Sequence, residues 1–159
     1  MNPWKSIALP ALLCGTLASC DDGHYQQVAV DYLANYHSAP AEGIVAVTLA
    51  DATGSSHKLI DHKKVSALSR ALSDAGRRLN HSENLTALRR EPMGLLSLDF
   101  SDGRTVITMP VFGYPERGLA EIMVPNDSTV RSAPALGSRD YQSFLAADGI
   151  TILQGAFGL

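Results

Sequence analysis

Leu95-Leu96-Ser97-Leu98-Asp99-Phe100-Ser101-Asp102-Gly103-Arg104-Thr105-Val106-Ile107-Thr108-Met109 holds the strongest structural signal in the chain. Apolar and polar residues alternate on both sides of Asp102-Gly103, the period of a strand with one buried face. Asp-Gly suits the positive φ angles of a two-residue type I′ turn, whose twist matches the strands it joins. Counting outward places Phe100 opposite Thr105, Leu98 opposite Ile107 and Leu96 opposite Met109, all on one face. The other face carries Ser97, Asp99, Ser101, Arg104, Val106 and Thr108. One apolar and one mostly polar face predict an antiparallel sheet wetted on one side.

Upstream of this hairpin, residues 44–50 are rich in Ile, Val and Leu and predict a strand. Asp51-Ala52-Thr53-Gly54-Ser55-Ser56 predicts a turn, and residues 57–60 the returning arm. Asp61 then stands where a helix N-cap belongs. Val65, Leu68, Leu72, Ala75 and Leu79 follow at helical spacing, and Gly76, Arg77 and Arg78 suit the helix's C-terminal end. Tyr25, Val28, Ala29, Tyr32, Leu33 and Tyr36 form the stripe of an earlier amphipathic helix, which Pro40 ends. Residues 80–92 predict a loop with a short apolar break at residues 85–88.

Downstream, residues 111–118 predict a loop rich in Gly and Pro, residues 119–124 a strand and residues 125–128 a turn. Residues 130–136 predict at most a weak edge strand, limited by Pro134. Ser138 can cap a short helix carrying Tyr141, Phe144 and Leu145, with Gly149 just beyond it and a last strand at residues 150–153. Hairpins interspersed with helices predict an α+β fold: an antiparallel sheet packed against two or three helices in a single domain.

The N-terminus carries a different message. Lys5 lies in a short head, residues 7–13 are apolar apart from Pro10, and Gly15, Thr16, Ala18 and Ser19 are small. A positive head, an apolar centre and small residues before a cleavage point make a secretory signal. The apolar run is too short to cross roughly 30 Å of hydrocarbon. Leu17-Ala18-Ser19-Cys20 resembles the lipobox of bacterial lipoproteins. That resemblance covers residues 1–22 and implies removal of residues 1–19 and acylation of Cys20. Two or more acyl chains anchor a protein stably where one does not. Asp21 and Asp22 resemble the signal that retains enterobacterial lipoproteins at the inner membrane. On this reading residues 20–24 are a lipidated tether and residues 25–159 the globular domain.

Composition bounds the chemistry. Removing residues 1–19 takes away Lys5 and moves the formal charge from −3 to −4. Nothing is strongly basic, so nucleic acid is not an expected partner. The 140 residues that remain suffice for one core. Cys14 and Cys20 are the two cysteines, so a processed and acylated chain holds no free thiol and no disulfide.

No nucleophile elbow, His-Glu-x-x-His pair or phosphate-binding glycine pattern occurs, and neither a catalytic residue nor a cofactor is expected. His57, Asp61 and His62 are near one another in sequence and are weak metal candidates, since a site needs at least three convergent ligands. Asp99 and Asp102 are better explained by the strand and turn than by paired-carboxylate catalysis. Phe112, Tyr114, Glu116 and Arg117 form the candidate interaction loop, because aromatics and arginine are enriched where proteins bind one another. Arg77, Arg78, Arg89 and Arg90 are solvated charges or a patch for an acidic partner. The expectation is a non-enzymatic envelope lipoprotein on the periplasmic side of a membrane, acting by protein binding, as an inhibitor or immunity protein does. The alternatives are a small-ligand or metal-binding lipoprotein and an accessory subunit of an envelope complex.

Overall fold

A computed structural model of the chain describes residues 22–34, 43–78, 85–125 and 141–159. In chain order they form α1 (Asp22–Ala34), β1 (Ile44–Asp51), β2 (Ser56–Leu59), α2 (His62–Arg78), β3 (Glu91–Phe100), β4 (Val106–Tyr114), β5 (Leu119–Pro125), β6 (Tyr141–Ala146) and α3 (Gly149–Phe157), with one 3₁₀ turn at Leu85–Ala87. The strands make one sheet in the order β2-β1-β3-β4-β5-β6, and every neighbouring pair is antiparallel. The fold is α+β, one domain around one core. Leu49, Leu96, Leu98, Met109 and Ile122 from the sheet meet Ala29, Leu33, Val65, Leu72 and Leu153 from the helices. Fully burying each large side chain contributes about 1.5–3 kcal/mol.

The hairpin register is as counted, with Leu96 opposite Met109 and Leu98 opposite Ile107. Its turn is different from the expected type I′. Gly103 has φ +69°, but among the described non-glycine residues only Asp148 has positive φ, so Asp102 does not. The Gly103 N–H donates to the Phe100 carbonyl at 3.1 Å. The Asp102 carboxylate accepts from the N–H groups of Arg104 (2.9 Å) and Thr105 (2.8 Å) and from the Thr105 hydroxyl. A carboxylate capping the turn in this way takes the place of the mirror-image geometry.

The helices follow their apolar spacing. Asp61 caps α2, its carboxylate accepting from the N–H groups of Lys63 (2.8 Å) and Lys64 (3.3 Å). Val65, Leu68, Leu72 and Ala75 are buried beneath the helix. Gly76 lies near the end of α2, which runs to Arg78. A Cβ there would stand 2.4 Å from Cζ of Phe144, so the glycine admits that ring. The first helix starts at Asp22, inside the expected tether. Tyr25 holds its first turn in place: its ring meets Phe100 edge-on at 4.8 Å and its hydroxyl donates to Asp102 at 3.1 Å. Ser69 of α2 donates to the Tyr32 carbonyl at 2.6 Å, and the Tyr32 hydroxyl donates to the Val65 carbonyl at 3.0 Å. These two bonds lock α1 to α2.

The C-terminal expectation is overturned. Tyr141, Phe144 and Leu145 lie on strand β6, and helix α3 occupies residues expected as a strand. Tyr141–Ala146 pairs along β5, from Pro125 opposite Tyr141 to Ala120 opposite Ala146, and so satisfies that strand's N–H and C=O groups. Gly149 then starts α3 where a Cβ would stand 2.6 Å from Cβ of Ala120. Leu153 and Phe157, four residues apart, bury the helix's stripe. Residues 111–114, expected in a loop, belong to β4, and β3 begins at Glu91 within another expected loop. Cys20, Asp21, Tyr36, Pro40, Leu79, Pro134 and Ser138 lie outside the described residues.

Candidate functional site

Glu121 is the centre of the main polar cluster. It lies in a strand otherwise made of apolar residues, with its side chain 12% exposed. A carboxylate so placed must be hydrogen-bonded. Arg90 Nη2 reaches Oε2 at 2.9 Å, the Tyr114 hydroxyl donates to the same oxygen at 2.9 Å, and the Ser143 hydroxyl donates to Oε1. The Arg90 guanidinium lies 3.7 Å over the Phe112 ring, a cation–π contact, and 3.2 Å from Met123 Sδ. Burial raises the Tyr114 pKa, the hydrogen bond to Glu121 and its charge raise it further, and Arg90 opposes them. The phenol therefore stays protonated and acts as a donor.

Directly beyond Tyr114 the chain turns through residues 115–118. The Arg117 N–H donates to the Tyr114 carbonyl at 3.0 Å and the Gly118 N–H to the Pro115 carbonyl at 3.3 Å. Gly118 supplies the positive φ, +65°. Glu116 accepts from the Arg89 N–H at 3.3 Å, tying the turn to the segment before β3. Pro115, Glu116 and Arg117 are exposed. Beside the turn opens a cavity of about 400 Å³, lined by Glu91, Met93, Gly113, Pro115, Ile150 and Gln154 among others. A Cβ on Gly113 would lie 3.1 Å from Met93 Sδ and 3.2 Å from Ile150 Cδ1, so the glycine lets those side chains close on the strand.

No protein-family model, curated protein or solved structure matches the chain. The reading of the site therefore rests on its own chemistry.

The expected interaction loop is split by the structure. Glu116 and Arg117 are on the exposed turn, while Tyr114 is buried and Phe112 half-buried on β4. The two aromatics therefore support the turn and are not displayed on it. The arginines are split as well. Arg89 pairs with Glu91 at 2.8 Å and Arg90 turns inward to Glu121. Arg90 and Ser143 are the partners that sequence reasoning missed; a lone acid in the apolar run of β5 was the available signal.

His57, Asp61 and His62 do not form a metal-holding group. His57 lies 3.4 Å from Asp51 at the β1–β2 hairpin, Asp61 is engaged in capping α2, and His62 is exposed. Among the described residues no group of three His, Cys, Asp or Glu stands together in a metal-holding arrangement. The Asp51 pKa is lowered chiefly by the Thr53 hydroxyl against an opposing burial effect, with N–H groups of Ser55 and Thr53 and the His57 ring adding to the lowering. That is the chemistry of a turn. A second open cavity of about 430 Å³ separates α2 from α3 and is lined mainly by Leu59, Ala67, Leu68, Ala71, Ile152 and Ala156. Among the described residues no helix is long and apolar enough to cross a membrane.

Proposed function

We propose that the chain is a membrane-anchored envelope lipoprotein that works by binding another protein, in the manner of an inhibitor or immunity protein for a periplasmic toxin or hydrolase. Cys20 carries the lipid, and Asp21 and Asp22 favour retention at the inner membrane. The observation that supports binding is the exposed turn at residues 115–118, braced by backbone hydrogen bonds and by the Arg90–Glu121 cluster, beside an open cavity of about 400 Å³. A braced turn beside a recess of mixed polarity can receive a partner's side chain, because little order has to be imposed on association. Met93 and Ile150 supply apolar lining and Glu91, Thr151 and Gln154 polar lining, while Glu116 and Arg117 are exposed on the adjoining turn.

The test is affinity capture from detergent-solubilised envelope with the acylated protein as bait. The expected result is one envelope or periplasmic protein recovered by the wild type and lost with Glu116→Arg combined with Arg117→Glu. Recovery of the same protein by that variant would move the binding surface elsewhere. Recovery of none would count against protein binding. Intact-mass measurement of the mature N-terminus tests the anchor separately.

A further inference from the structure

We propose that the end of the sheet where α1 begins rests on the lipid surface, with the turn at residues 115–118 facing away from it. This orientation rests on the reading of Cys20 as the lipid site. Asp22, the first residue of α1, is two residues from Cys20, so at most about 7 Å of extended chain separates their Cα atoms. The start of α1 is in turn fixed to the β3–β4 hairpin tip by the Tyr25 contacts with Phe100 and Asp102. The anchor therefore constrains which end of the molecule meets the bilayer.

That end has the chemistry of an interfacial surface. Val106 pairs with Asp99, whose other neighbour is Ala46, and Val45 sits in the bulge beside Ala46. Ile60 follows Leu59, the partner of Val47, off the same end of β2. Val45, Ile60 and Val106 thus gather at one end of four adjacent strands, and they are 52%, 73% and 53% exposed. Only two other large apolar side chains among the described residues are exposed, Leu95 at 40% and Leu159 at 51%.

Cations accompany the apolar residues. Lys63 and Lys64 lie in the first turn of α2, just after Ile60 and Asp61, and Arg104 is in the hairpin tip; all three are exposed. Among the described residues Lys63, Lys64 and Arg104 form no ion pair. Three nearby carboxylates have partners: Asp61 caps α2, Asp99 pairs with Lys58 at 2.8 Å and Asp102 caps its turn. Exposed apolar side chains amid unpaired cations match the interface of an anionic bilayer, where the first enter the headgroup region and the second meet its charge. The nine residues of β4, at about 3.3 Å each, carry the opposite turn roughly 30 Å out from that surface.

The test uses the acylated full chain in vesicles of phosphatidylethanolamine and phosphatidylglycerol. Cys14 leaves with the leader and the Cys20 sulfur is in a thioether, so a single introduced cysteine takes a nitroxide label cleanly. Labels go on Ile60→Cys and Val106→Cys at one end and on Ala52→Cys and Glu116→Cys at the other. On reconstitution the first pair should show a several-fold drop in collisions with an aqueous nickel chelate and a gain with oxygen, and the second pair should not change. Acylated, vesicle-bound protein whose two ends behave alike, or in reverse, overturns the orientation and leaves the anchor standing. A mature chain with no acyl mass overturns both. Lys63→Glu, Lys64→Glu and Arg104→Glu together should reduce the protection at residues 60 and 106 without releasing the protein; protection unchanged by the reversal overturns the electrostatic half of the proposal.

Discussion

Replacing Glu121 with glutamine leaves shape nearly unchanged and removes a charge from the centre of the polar cluster. One acceptor oxygen becomes an NH₂ group, so Ser143 must turn from donor to acceptor while Arg90 and Tyr114 are left with a neutral amide oxygen. Arg90 also loses its counter-charge while 21% exposed. Removing one member of a fully buried pair costs about 3–5 kcal/mol, whereas an exposed pair contributes about 1 kcal/mol or less. This pair still touches water, which places Glu121→Gln at about 2–3 kcal/mol. Arg90→Met keeps an apolar stem against Phe112 and Met123 and leaves the Glu121 carboxylate with two hydroxyl donors, for about 1–2 kcal/mol. The double variant strands no charge. It also removes the Arg90 Nε, which is buried with no hydrogen-bond partner. Its cost should be only about 1 kcal/mol, giving a coupling of about 2–4 kcal/mol between the two positions. Urea unfolding of all four proteins at neutral pH, followed by circular dichroism, measures this directly. A coupling within about 0.5 kcal/mol of zero would refute the claim that this cluster acts as a desolvated unit.

Gly94→Ala should be among the most damaging single changes. Gly94 has φ +144°, and a Cβ there would stand 2.1 Å from the Ala50 carbonyl oxygen and 2.9 Å from Asp51 Cα, both held in the β1–β3 ladder. Backbone strain and overpacking each cost about 1–3 kcal/mol, so a loss of roughly 3 kcal/mol is expected in the same urea assay, and a loss under about 1 kcal/mol would show that the strands part easily. For Asp102, the Thr105 hydroxyl foremost, then the Thr105 and Arg104 N–H groups, hold its carboxyl well below the usual aspartate range; burial opposes them and the Tyr25 hydroxyl adds to the lowering. A depressed folded pKa means stabilisation present above the unfolded value, about 3.9, and lost as pH falls through the folded one. Melting temperature should therefore fall less steeply below about pH 4 in Asp102→Asn than in the wild type; parallel acid profiles for the two would exclude this role.

Much of the fold was legible because its signals are local. The period of two around Asp102-Gly103 leaves little freedom of register, and Asp61 before an apolar stripe at helical spacing marks the start of α2. The failures share a non-local cause. Tyr141, Phe144 and Leu145 fit a helix by spacing, but pairing with β5 decides their structure. Ile150-Thr151-Ile152 favours a strand by propensity, yet burial of Leu153 and Phe157 makes it a helix. Gly76 and Gly113 look like interruptions and are close contacts, which appear only once Phe144, Met93 and Ile150 are in place. In the polar cluster, Tyr114 belongs to the segment that the sequence singles out. Arg90 and Ser143 reach Glu121 from separate segments, and no spacing within the chain announces that meeting.

The border of the sheet formed by β2 is only four residues long, with Lys58 in its interior pairing across to Asp99. So short a margin offers another polypeptide few unpaired backbone groups to extend, and its lysine opposes lateral addition. Copies at high local concentration would then meet along this margin without knitting into a continuous ribbon.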